Sequence, residues 1–297
     1  MASTTPEILS TEFQLETIKD PAKISNELIE AYASVFWADQ WRELLTGTNS
    51  KGEPSQYGTN DSMAQQLAQM NGIDTYDPNW PTKLWQLLID TNPDREPIVK
   101  IEGETFEVYW TFEDAKKTLQ EYVTPISKGG YGGEIIILRT PDESIAGFTA
   151  YTVCTAEEAK ELIPKRFGGK VFLEGEKDAI YVKNLTPTIL EDTGITQVGL
   201  FLDLAVAPEY QGIGIGGYIF DKRLERILAL SKSLDEKGNL IIVGRTLETQ
   251  KAQFEGNYKA RGLEPVARYI DNPNEVLCVA SIEDVSKSLF DKPWRFF

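Results

Sequence analysis

Apolar and polar residues alternate from Phe13 to Ile18, the period of a half-buried strand. Asp20-Pro21 then reads as a helix start, with Asp as the cap and Pro at the first position. Ile24, Leu28, Ile29, Tyr32, Val35 and Phe36 follow at helical spacing and share one face. Glu104–Tyr109 predicts a short strand, and Thr111-Phe-Glu-Asp opens a capped helix running to about Tyr122. Glu134–Arg139 and Ile145–Val153 predict an antiparallel hairpin turning at Thr140–Ser144. Val198–Ala207 predicts a strand, and Gly217–Ser231 a helix with Ile219, Phe220, Leu224, Ile227 and Leu228 inward. Asn239–Gly244 is the next expected strand. A helix over Lys251–Ala260, stopped by Gly262, precedes two closing strands at Leu263–Ile270 and Glu275–Ala280. Phe290–Phe297 reads as an aromatic tail packed on the sheet or on a second subunit, so a homodimer is one expectation.

Two stretches break this rhythm. Gly47–Asn60 is rich in Gly, Ser, Thr and Asn and reads as a loop, with short helices expected at Ser62–Met70 and Pro81–Asp90. Residues 46–100 are therefore expected as an insertion. Five of the six tryptophans lie between Trp37 and Trp110, where they hold a small subdomain together or line a cleft. Lys128-Gly-Gly-Tyr-Gly-Gly133 has no helix behind it and reads as a loop before a strand. Residues 155–195 are a second insertion: a helix over Ala156–Lys165, then Gly-rich and acidic segments. Glu174, Glu176, Asp178, Glu191 and Asp192 there are solvated carboxylates or contacts for a positive group. One domain spanning the 297 residues accommodates both insertions.

Composition removes several classes of function. No run of about 18 apolar residues is present, so no membrane span is expected. The first residues lack the basic start and apolar core of a secretory signal, and a cytoplasmic location is expected. The chain has no His and only Cys154 and Cys278, so no metal is expected and every His-based mechanism is out. Proton transfer falls to Asp, Glu, Tyr, Lys, Cys or water. The formal net charge is −16, yet Gln211–Arg268 holds ten basic and seven acidic residues, +3 against −19 for the rest. An acidic chain disfavours nucleic acid and attracts a cationic amine; the less acidic segment suits an anionic ligand.

That segment begins with the chain's most informative stretch. After the apolar run ending at Pro208, Gly212, Gly214 and Gly216 alternate with Gln211, Ile213 and Ile215, and a helix follows. A glycine turn at a helix N-terminus presents backbone N–H groups to a phosphate, or else is a packing turn that binds nothing. A dinucleotide fingerprint lacks its acidic strand end, and a P-loop lacks its Gly-Lys-Ser/Thr. Gln211-x-x-Gly214-x-Gly216, behind Leu202-x-Leu204-x-Val206-x-Pro208, resembles the acetyl-CoA signature of the GNAT superfamily of N-acetyltransferases. Asn257-Tyr258-Lys-Ala-Arg-Gly262-Leu263 is similar to that family's closing helix, Tyr-x-x-x-Gly-Phe, with Leu263 in place of the Phe.

The resemblance implies an α+β, three-layer fold with a mixed, mostly antiparallel, splayed sheet flanked by helices. It implies acetyl-CoA as cosubstrate, its pantetheine arm held by main-chain groups of Leu204, Ala205 and Val206. Gln211, Gly212, Ile213, Gly214, Ile215 and Gly216 would cradle the pyrophosphate, with Asn257 nearby and Lys222, Arg245 and Lys251 as further phosphate partners. Tyr258 would protonate the departing thiolate; otherwise it packs the closing helix on the sheet. Asp203, ahead of Glu209 and Glu134, is the candidate base for the incoming amine, with a water relay as its alternative. The implied activity is direct acetyl transfer to a primary amine on a small molecule or protein. A non-catalytic CoA sensor and an interaction scaffold are the rival readings.

Overall fold

The computed structural model describes residues 13–33, 68–77, 80, 83–84, 87, 98–101, 104–107, 112–124, 132–173, 176, 178–191, 194–207, 210, 212–234, 239–247, 253–270 and 274–291. In chain order its elements are β1 (Gln14–Ile18), α1 (Asn26–Ala33), β2 (Ile98–Ile101), β3 (Glu104–Glu107), α2 (Phe112–Val123), β4 (Gly133–Arg139), β5 (Ile145–Thr155) and α3 (Ala156–Phe167). They continue with β6 (Lys170–Leu173), β7 (Ala179–Tyr181), α4 (Val182–Glu191), β8 (Ile195–Val206), α5 (Ile215–Leu234), β9 (Asn239–Leu247), β10 (Glu264–Tyr269), β11 (Glu275–Ser281) and α6 (Ile282–Asp291). Two compact units divide the chain: Ile24–Gln120, and Met1–Lys23 with Glu121–Phe297.

The unit of Ile24–Gln120 holds α1, most of α2 and the antiparallel hairpin β2–β3, in register from Ile98↔Glu107 to Ile101↔Glu104. Strand β3 was expected; its partner β2 was not. Most of the tryptophan-rich stretch lies outside the described residues. The helix expected from Asp20 is broken in two. Asp20 Oδ1 accepts the Ala22 N–H at 2.9 Å, but caps only a 3₁₀ turn at Pro21–Lys23. Ser25 Oγ then accepts the Leu28 N–H at 3.2 Å and starts α1 afresh. Two capping side chains five residues apart each begin a turn, and the second one wins the longer helix. Leu28, Ile29 and Tyr32 are buried, as their spacing predicts.

The other unit is built on a sheet with strand order β1-β4-β5-β8-β9-β11-β10-β6-β7 among the described residues. Neighbours are antiparallel throughout except β8 and β9, which run parallel with α5 as their crossover. The fold is thus α+β, with a large, mostly antiparallel sheet flanked by helices. Side chains of β9 alternate between two cores: Leu240 and Ile242 join Phe220, Leu224, Ile227 and Val285, whereas Ile241 and Val243 join Ile163, Val182 and Leu185. Helices α5 and α6 therefore cover one face, and α3 and α4 the other. Each such apolar side chain contributes about 1.5–3 kcal/mol on burial.

Three expectations need correction. The acidic, Gly-rich part of 155–195 extends the sheet: β6 pairs with β10, β7 with β6, and α4 follows. Strands of four and three residues are too short to show a period. The helix α3 runs to Phe167 and starts with a capping box, Glu158 N–H to Thr155 Oγ1 at 3.2 Å and Thr155 N–H to Glu158 Oε2 at 2.9 Å. The closing segment is not α-helical from Phe254 onward. Phe254–Tyr258 forms a π-helical turn and Lys259–Arg261 a 3₁₀ turn, ended by Gly262 at φ +79°. Phe290 belongs to α6 rather than to a tail; residues 292–297 lie outside the described residues. No helix among the described residues is long and apolar enough to cross a membrane.

Candidate functional site

Strands β8 and β9 pair from Ile195↔Asn239 to Phe201↔Gly244, and there the pairing between them stops. Yet β8 continues to Val206 and stays paired with β5 as far as Gly147↔Val206. Strand β9 continues to Leu247, paired with β11 at Glu275. The cause lies in β8. Phe201 faces Tyr151 and Leu204 faces Thr149, so Leu202 and Asp203 together oppose the single residue Ala150. Such a bulge bends and twists its strand. The two parallel strands therefore part, leaving a gap between Leu202–Val206 and Arg245–Leu247.

The glycine turn closes one end of this gap. Gly212 and Gly214 have φ of +84° and +91°, the left-handed conformation that glycine adopts without strain. Tyr218 N–H donates to Gly214 O at 3.0 Å, which starts α5. The N–H groups before it have no acceptor within the helix, and the first turn carries no acidic residue, so the positive end of the dipole is not offset there. Ile215 is buried against Ile219, with Leu204 and Val206 packed on them. A Cβ on Gly216 would lie 3.5 Å from Val206 Cγ2, so turn and strand meet closely. Leu204, Ala205, Val206, Gly212, Ile213, Gly214, Ile215 and Gly216 thus come together; Gln211 and Glu209 lie outside the described residues.

The remaining sequence candidates fall in different places. Asn257 is half-buried in the π turn, next to Tyr258. Arg245 is ion-paired with Glu275 and stacks 4.3 Å from the centre of the Tyr269 ring. Lys222 pairs with Glu225 at 2.8 Å, and Lys251 lies outside the described residues. Glu134 is buried and ion-paired with Lys19.

Tyr258 sits where the strands part. Its side chain is buried, and a Cβ on Gly244 would stand 3.0 Å from both its Cε1 and its hydroxyl, and 3.1 Å from Phe201 Cβ. Gly244 and Phe201 are the last pair of the β8–β9 ladder, and only glycine leaves room there for the phenol. The hydroxyl donates to Arg245 O at 3.1 Å. The ring meets those of Phe201 and Phe220 at centroid distances of 6.0 and 5.3 Å. Burial pushes the phenol pKa well above its ordinary value, so Tyr258 keeps its proton; the nearby Arg223 charge acts in the opposite sense. Asp203, in the bulge, accepts a hydrogen bond from Tyr122 Oη, and its main-chain oxygen accepts one from Thr149 Oγ1 at 2.9 Å.

Two charged groups on α5 escaped the sequence reading. Arg223 is 1% exposed, its guanidinium 3.7 Å from the centre of the Phe201 ring and 4.7 Å from that of Phe220. Burial lowers its pKa to about 10, against the pull of Tyr258 and Asp203. Helical spacing placed Arg223 on the buried stripe, three residues after Phe220 and four before Ile227. Asp221 binds Arg261 through two contacts of 2.9 Å, and both are buried. This bidentate pair ties α5 to the 3₁₀ turn that directly follows Tyr258.

No family model and no curated protein matches this chain. Solved structures similar to it include an acetyltransferase of the GNAT family from Staphylococcus aureus Mu50. The identity is 13%, covering 91% of this chain and 99% of that one, with a TM-score of 0.35. A mutant spermidine N-acetyltransferase from Vibrio cholerae is 11% identical over 69% of this chain and 90% of that one, TM-score 0.35. A mutant AtaT toxin, bound to the C-terminus of the antitoxin AtaR and acetyl-CoA, is 18% identical over 55% and 74%, TM-score 0.29. Likeness at this level is a partial agreement in how strands and helices are arranged; it assigns neither an acceptor nor a chemistry.

Proposed function

We propose that the protein transfers an acetyl group from acetyl-CoA to a primary amine on a small molecule or protein. One observation carries this reading: a buried, protonated phenol stands where two parallel strands part, and the gap beyond it leads to a glycine turn at a helix N-terminus. The turn Gly212–Gly216 suits a pyrophosphate, because its N–H groups and the α5 dipole both favour an anion. Leu204–Val206 and Arg245–Leu247 are not paired with each other, so an extended pantetheine arm has strand edges to bond. The thioester then lies beside Tyr258. The amine nitrogen attacks the carbonyl carbon, a C–N bond forms, and the C–S bond breaks. Tyr258 supplies the proton to the thiolate, and Asp203 or water takes the one from nitrogen. A non-catalytic CoA-binding module is the second reading, favoured by the hydrogen bond that already engages the Tyr258 proton at Arg245 O.

Release of free thiol from acetyl-CoA, followed over a panel of amines, separates the two. Turnover with at least one amine is expected. Tyr258→Phe is expected to lower kcat by about 10²-fold or more, at unchanged CoA affinity by calorimetry. Binding without turnover on any amine favours the sensor, and absence of both binding and turnover removes both readings.

A further inference from the structure

We propose that Arg223 is a positioning residue for proton donation by Tyr258, holding the phenolate left behind when the tyrosine protonates a departing thiolate. This rests on the acetyl-transfer reading and deepens it. Apart from Asp221, which Arg261 answers, the other buried residues of α5 are apolar: Ile215, Ile219, Phe220, Leu224, Ile227 and Leu228. A guanidinium among them is costly to desolvate, and Met or Leu would fill the space without that cost. Its Nε–H meets no acceptor among the described residues. The rings of Phe201 and Phe220 hold it by cation–π contact, and the same two rings pack against the ring of Tyr258.

Tyr258 therefore has a distinct partner for each state. Its proton points to Arg245 O, and the two rings that pack on it also hold a buried cation, whose charge favours the phenolate. In the transfer step the Tyr258 O–H bond breaks and an S–H bond forms. The electron pair stays on the phenolate oxygen, next to Arg223. The proton lost by the attacking nitrogen balances the one given to sulphur and restores the phenol. Asp203 is the other charged group that bears on Tyr258, and it opposes a phenolate, so Arg223 is the group that offsets it. The cation does this work mainly after proton transfer has begun, which is where it lowers a barrier.

The test uses the full chain with Arg223→Met, Arg223→Lys, Tyr258→Phe and the double variant. Arg223→Met is expected to lower kcat by about tenfold or more, with KM for acetyl-CoA within about twofold. Arg223→Lys should regain part of the loss. In the Tyr258→Phe background, Arg223→Met should cost little further, because the phenol it serves is gone. A second measurement needs no turnover. With Tyr258 replaced by a polyfluorinated tyrosine, whose phenol is more acidic, Arg223→Met should move the tyrosinate absorbance to higher pH by about one unit or more. An unmoved titration, or an equal loss of kcat with and without the phenol, overturns the proposal. A moved titration in a protein that releases no thiol overturns the acetyl-transfer reading and leaves the Arg223–Tyr258 coupling in place.

Discussion

Two buried guanidinium groups flank the same stretch of α5 and are treated in opposite ways. Arg261 meets Asp221 through two hydrogen bonds of 2.9 Å, so charge and donors are answered by one carboxylate. Arg223, two residues along from Asp221, lies against two aromatic rings that also pack on Tyr258. The first arrangement is a clip: it holds the Tyr258 turn against the helix and changes little in a reaction. The second leaves a cation whose best partner, a phenolate, exists only while a proton is elsewhere. Burial alone does not tell the two apart; what each cation faces does.

The largest expected effect breaks the clip. Asp221→Ala strands the Arg261 charge and should cost about 3–5 kcal/mol, read by chemical unfolding. Asp221→Leu with Arg261→Met should recover most of that loss. Gly244→Ala should cost about 1–3 kcal/mol, because the new methyl stands 3.0 Å from the Tyr258 ring and hydroxyl, and it should slow thiol release as well. Arg223→Met should change stability by less than about 1.5 kcal/mol in either direction while thiol release falls, the reverse of the Asp221 result.

Alkaline pH gives the smallest and most selective contrast. Tyr151, Tyr258 and Tyr269 all have pKa values raised by burial. The unfolded chain loses these protons near pH 10 and the folded chain does not, so stability falls as pH rises above about 10. Each group costs up to about 1.4 kcal/mol per pH unit in that range. Arg223 works against this: folded, it gives up its proton near a pKa of about 10, well before the unfolded chain does. In thermal melts across pH 9–11, Tyr258→Phe should therefore flatten the loss and Arg223→Met should steepen it.

Much of the fold was legible because its elements are long and periodic. Strand β8, the inward stripe of α5, the β4–β5 hairpin and the two closing strands all follow from spacing. The short strands β2, β6 and β7 carry too few residues to show a period, and α6 was hidden behind an aromatic C-terminus. In the site, the glycine turn was readable from residue order, and Tyr258 was singled out only through the family resemblance of the closing segment. Arg223 lies at the spacing of the inward stripe but was passed over as a charged residue, and the Asp221–Arg261 pair joins residues 40 apart that no local pattern connects. The bulge at Leu202–Asp203, and hence the parting of β8 from β9, depends on how three strands align and leaves no mark on one of them alone.

Hydrogen exchange with and without CoA tests the central claim most directly. If the gap takes the pantetheine arm, CoA should slow exchange at main-chain amides of Leu202–Val206 and Arg245–Leu247, and at Gly212–Gly216. Amides of Ile195–Phe201 and Asn239–Gly244, already paired, should not change. CoA binding that protects none of the first set, or that protects amides elsewhere in their place, would contradict it.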